Sequence, residues 1–179
     1  MEESRDRVDA MMDAWRTRAP EFATAPLELV KRIGRLGALC TQATEAAISG
    51  SGVTYAEFDV LATLYRADPP HRLKPSQLAQ QTMLSSGGMS NIRQRLINAG
   101  LVTAAPDPDD RRSLWLQLTD DGIALVRRLC EATAAAHAAL FRDLPPSTAQ
   151  TLTHALREAL LALGDQVHTN ASPWQQSPT

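Results

Sequence analysis

The sequence predicts a mainly α-helical chain that carries one small β-hairpin. Three observations lead there. Apolar residues recur at three- and four-residue steps through most of the 179 positions. Aromatic residues make up 4% of the chain while alanine is abundant, as in "ATAAAHAAL" (132–140), a balance that favours helices over a β-sandwich. One segment, "SLWLQLT" (113–119), instead alternates Leu114, Leu116 and Leu118 with Trp115 and Gln117, the period of a half-buried strand.

Taken in order, residues 5–18 read as a helix with Val8, Met11, Met12 and Trp15 on one face, stopped by Pro20. A longer helix spans about 26–49, its stripe formed by Leu29, Ile33, Leu36, Cys40, Thr44 and Ala47, and "SGSG" (49–52) ends it. Thr54 with Glu57 three residues later forms a capping box for a helix that buries Phe58, Leu61, Leu64 and Tyr65. "ADPPHR" (67–72) breaks that helix, and 74–82 is a short one around Leu78 and Ala79. The next helix is opened by Ser85 or Ser86 and closed by Gly100. A two-stranded hairpin follows, "GLVTAA" with "SLWLQLT". Thr119 caps a helix to about Arg142, with Asp120 and Asp121 in its first turn as the helix dipole prefers. Ser147 caps a last helix to about Leu163. The expected organisation is an extra helix plus a dimerisation helix in 1–50, a lobe in 53–119, C-terminal dimerisation helices in 120–167 and a disordered tail in 168–179. Helices followed by a two-stranded hairpin form a winged helix-turn-helix, and the long helices on either side carry more apolar face than one small lobe covers, which predicts a homodimer.

No apolar run approaches the roughly 18–20 residues of a membrane span, and the charged N-terminus has no signal core, so no membrane partner and a cytoplasmic location are expected. Cys40 and Cys130 lie far apart without histidines at ligand spacing, and the four histidines share no motif, so neither a disulfide framework nor a metal or other cofactor is expected. No phosphate loop or nucleophile elbow supports a catalytic reading. The net charge is −2, but its distribution is uneven. Arg72, Lys74, Arg93, Arg95, Arg111 and Arg112 face only Asp107, Asp109 and Asp110 over 72–112, whereas 1–60 holds ten acids and seven bases.

That positive middle contains "QQTMLSSGGMSNIRQRL" (80–96), which fits the turn and second helix of a helix-turn-helix. Ser85, Ser86 and Gly87 offer hydroxyls and backbone N–H groups to phosphate. Ser90, Asn91 and Gln94 share one side, and Asn and Gln pair bidentately with adenine. Met89, Ile92 and Leu96 share the other, while Arg93 and Arg95 add charge. Gly87 and Gly88 cost roughly 1 kcal/mol each in helix propensity, which close backbone approach would explain. The alternative is an ordinary solvated face. The hairpin tip adds Arg111 and Arg112, with Asp110 placed to hold the Arg112 guanidinium in one pose, a form suited to a narrow minor groove. Double-stranded DNA is thus the expected partner.

"DDRRSLWLQLTDDG" resembles the D-x-R-x-x-x-L-x-L-T-x-x-G wing signature of MarR-family regulators, matched at Asp110, Arg112, Leu116, Leu118, Thr119 and Gly122. The likeness covers about 54–126. It implies homodimeric winged-helix regulators on palindromic operators, usually repressors, often released by a phenolic or anionic small molecule. "AWRTRAPEF", "RIGRL", "EFDVLATL" and "LSSGGMSN" resemble the PecS and urate-responsive branch with its extra N-terminal helix. The resemblance implies ligand residues at Trp15 and Asp59. Ile92 and Ala104 stand where that branch has its two arginines, with Arg93 about 100° around the helix from the first, so urate is not the implied effector. Cys40 resembles the reactive cysteine of the family's peroxide-sensing branch in type but not in place, since that one lies nearer the N-terminus. A winged-helix interaction or scaffold module without DNA binding is the alternative function, since "GLVTAAPD" lacks the basic residues usual after "GLV" in the family.

Overall fold

Capping side chains open four of the helices by satisfying their first free backbone N–H groups. A computed structural model of the chain describes residues 5–82, 86–107 and 114–165, apart from the side chains of residues 86 and 87. Asp6 accepts from the N–H groups of Val8 and Asp9 and opens α1 (Arg7–Arg18), and the Asp9 carboxylate accepts from the Asp6 N–H in return. A short 3-10 turn at Pro20–Phe22 follows, and Thr24 opens α2 (Ala25–Ile48). The expected box of Thr54 and Glu57 opens α3 (Tyr55–Arg66), and Thr119 opens α6 (Asp120–Leu140). Between them lie α4 (Pro75–Gln81) and α5 (Ser86–Asn98).

The last helix starts elsewhere than expected. Its span is α7 (Pro146–Ala162), with Pro145 at the cap position and no side-chain capping bond. Pro146 suits the first helical position because its φ is already helical and its missing N–H would have had no partner there. Ser147 therefore lies inside the first turn, where its carbonyl accepts from the Thr151 hydroxyl at 2.9 Å.

The expected two-stranded hairpin is a three-stranded antiparallel sheet in the order β1-β3-β2. β2 (Val102–Pro106) pairs with β3 (Leu114–Leu118), placing Val102 opposite Leu118 and Pro106 opposite Leu114. On the other side of β3 lies β1 (Arg72–Leu73), Arg72 opposite Gln117. Two residues are too short for any period to register. The turn before them builds the strand: the prolines end α3, His71 takes a left-handed φ of 58°, and its carbonyl accepts from the Leu118 N–H at 3.2 Å.

The core gathers around α3, where Leu61 and Leu64 are fully buried and pack with Leu78 of α4, Leu96 of α5, Leu116 of β3 and Val126 of α6. Helix α2 runs along α6, and the Thr44 hydroxyl meets His137 Nε2 across them at 2.9 Å. The extra helix α1 docks on α2 through buried Val8 and Met12. Beside this contact Arg32 of α2 reaches Asp6 at 2.9 Å, Asp9 at 2.7 Å and Glu28. Leu29, Val30 and Ile33 of α2 and Leu160 and Leu161 of α7 remain exposed, as does Leu163 beyond it. An apolar cleft of about 500 Å³ separates α2 from α7, with Cys40 in its wall. Among the described residues no helix is long and apolar enough to cross a membrane.

Candidate nucleic-acid interface

Helix α5 has two chemically distinct sides. Met89 and Leu96 are buried and Ile92 is partly buried against the core, as their spacing requires. Ser90, Asn91, Gln94, Arg95 and Asn98 are exposed. At 100° per residue, Asn91, Gln94, Arg95 and Asn98 fall on one outward face. The Gln94 amide donates to the Asn98 side-chain carbonyl at 2.9 Å, so two groups able to read base edges steady each other. Arg93 is half-buried and lies on the packed side, away from that face. Ser86 and Gly87 form the first turn of α5, and Ser85 lies outside the described residues.

Arg95 is held from another element. Its Nε lies 2.8 Å from Glu57 Oε1 on α3, a carboxylate 3% exposed, while the arginine side chain is 63% exposed. The far end of α5 is fixed to α6. Gly100 takes the left-handed φ of 71° that ends α5, and its carbonyl accepts from the Thr119 hydroxyl at 2.8 Å. The same hydroxyl oxygen accepts from the Gly122 N–H at 3.0 Å, so one side chain joins the end of α5 to the start of α6. A Cβ at Gly122 would overlap the Leu101 carbonyl oxygen. These contacts are the physical content of the Thr-x-x-Gly end of the wing signature.

The foot of the hairpin is also anchored. The Lys74 ammonium, at the start of α4, lies 2.6 Å from the Asp107 carboxylate, which is 3% exposed at the end of β2. Arg72 and Lys74 both sit over the Trp115 ring, at 4.7 and 5.1 Å from its centroid. The hairpin tip, including Asp110, Arg111 and Arg112, lies outside the described residues.

A sequence model of the MarR family matches residues 51–113. The transcriptional regulator PecS of Dickeya dadantii is 32% identical over 148 residues, covering 82% of this chain and 87% of PecS. The chain belongs to the MarR family. Members are DNA-binding transcriptional regulators, not enzymes. Among solved structures, the MarR-family regulator AbsC of Streptomyces coelicolor aligns with a TM-score of 0.66 at 27% identity, covering 91% of this chain and all of AbsC. Sco3205 of the same organism, a MarR-family regulator solved in complex with DNA, aligns with a TM-score of 0.69 at 25% identity, over 84% of this chain and 94% of that one.

On this MarR-family scaffold the two residues expected at a ligand keep separate company. Trp15 is 38% exposed on α1 and meets the Phe22 ring edge-on, centroids 5.9 Å apart. Asp59 is half-buried on α3, where burial pushes its carboxyl above the usual range and the positive Arg66 opposes the shift. Cys40 sits on the apolar stripe of α2, and burial raises the Cys130 thiol. Sequence reading named Glu57 only as a cap and missed both its grip on Arg95 and the pair of Lys74 with Asp107. A carboxylate in a capping box, where an amide would serve, was the one available signal for the first.

Proposed function

We propose that this MarR-family chain is a homodimeric, ligand-responsive regulator that acts in the cytoplasm, repressing from palindromic operators. The observation that carries this reading is the exposed row of Asn91, Gln94 and Asn98 on α5, backed by an apolar face and flanked by Ser90 and Arg95. Such a helix meets base edges in the major groove, while Ser85, Ser86 and Gly87 at its start meet phosphate. Arg111 and Arg112 at the hairpin tip enter the minor groove or contact its phosphates, Asp110 orienting Arg112. Sco3205, a MarR-family regulator solved in complex with DNA, supports a DNA partner for this chain. Two copies joined through their exposed α2 and α7 faces read half-sites about 10 bp apart.

The effector site proposed from the resemblance uses Trp15 and Asp59. A small molecule bound between the dimer region and the DNA-binding lobe would shift the lobe spacing, and so the affinity for DNA. With Ile92 and Ala104 in place of guanidinium groups, an anionic purine loses its charge-assisted partners, so urate is not proposed.

Fluorescence anisotropy on duplexes tiling the DNA upstream of the gene, at two salt concentrations, tests the reading. One tightly bound palindrome, with affinity falling steeply as salt rises, is the expected result. A stable dimer that prefers no duplex would overturn it.

A further inference from the structure

Glu57 uses its two carboxylate oxygens for different purposes. Oε2 completes the start of α3, accepting from the Thr54 N–H at 2.7 Å and from the Thr54 hydroxyl at 3.0 Å. Capping needs only an acceptor, and a glutamine fills that role as well as a glutamate. The negative charge is therefore surplus to the cap, yet it sits at a position 3% exposed, where an unpaired charge is disfavoured. Its counter-ion comes from α5: Oε1 faces Arg95 Nε at 2.8 Å.

That ion pair lies at the inner nitrogen of the guanidinium, and among the described residues neither outer nitrogen has a partner. A guanidinium is planar, so fixing Nε and the stem fixes the direction of the Nη pair. Arg95 lies four residues after Asn91, one turn along the same outward face, with its side chain 63% exposed. An arginine already held in one pose gives up less side-chain freedom on binding than a solvated one.

We propose that Glu57 is a positioning residue for DNA binding: from the base of α3 it holds Arg95 so that the two Nη groups form a pre-set clamp on a backbone phosphate beside α5. The inference rests on the reading of α5 as the helix that enters DNA. It assigns Arg95 to phosphate and leaves base reading to Asn91, Gln94 and Asn98. A phosphate clamp adds affinity without sequence preference.

The test is a double-mutant cycle on the full-length chain. Glu57→Gln keeps the capping acceptor and removes the charge. Affinity for the tightest duplex of the upstream tiling, and for a mixed-sequence duplex, is measured across a salt series for wild type, Glu57→Gln, Arg95→Ala and the double variant. Thermal midpoints confirm that each is folded. Arg95→Ala is expected to weaken both duplexes by a similar factor, about tenfold, and to lower the salt slope by about 0.9 per subunit. Glu57→Gln should weaken binding severalfold in the wild-type background and not at all when Arg95 is already alanine. Arg95→Lys, with charge but no fork, should not restore the loss. Equal effects of Glu57→Gln in both backgrounds would overturn the inference, as would an unchanged salt slope in Arg95→Ala. A wild-type chain that binds no duplex would overturn the DNA reading itself, and this inference with it.

Discussion

At Asp59, burial on α3 raises the carboxyl above its ordinary range, and the nearby Arg66 charge only partly offsets it. The folded state therefore holds that proton more firmly than the unfolded chain. The stability tied to Asp59 is complete below the unfolded carboxyl range and is lost as pH rises through the folded value. Asp59→Asn is accordingly expected to raise the thermal midpoint at pH 7, with the gain vanishing below about pH 3.9. An unchanged or lower midpoint at pH 7 would contradict that account of the site. In the sequence Asp59 was marked by the family resemblance, whereas Glu57 was read only as part of a cap. In the structure Glu57 is the more deeply buried of the two, 3% exposed, and Arg95 of α5 lies against its carboxylate at the start of α3. Linear periodicity reports the face of a residue's own helix and nothing about what crosses its end.

At the scale of elements, the join between α5, β2 and α6 sets where the outward face of α5 points. Thr119 bonds both the Gly100 carbonyl and the Gly122 N–H, so Thr119→Ala should lower unfolding stability by about 1–2 kcal/mol. Gly122→Ala should cost about 2 kcal/mol or more, because a methyl group there meets the rigid Leu101 carbonyl rather than a mobile side chain. Urea midpoints measure both, and a neutral Gly122→Ala would show that β2 and α6 separate easily. Helices α1 and α2 were legible from their 3.6-residue period, and α3 and α6 from capping residues as well, because both are local properties. Strand β1 was not, since two residues carry no period and its existence depends on the turn at His71. Nor was the start of α7, where two prolines supply backbone geometry in place of a capping side chain.

In the whole molecule, the described residues leave an apolar strip uncovered. Leu29, Val30 and Ile33 of α2 are 47–61% exposed, and none of the described residues fills the cleft between α2 and α7. A second copy is the proposed cover. Ile33→Asp would place a charge in that contact, and sedimentation equilibrium should then give the 19.5 kDa monomer where the wild type gives twice that mass. A wild type that sediments as a monomer at micromolar concentration would remove the dimer from the account.

The central claim is that the outward face of α5 reads bases, and the most direct test compares wild type with Asn91→Ala on the bound palindrome and on its single-base variants. The account predicts that the alanine variant loses about 1–3 kcal/mol of discrimination at one A·T pair in each half-site and keeps its preferences elsewhere. A uniform loss across all sequences, or none at any position, would contradict it.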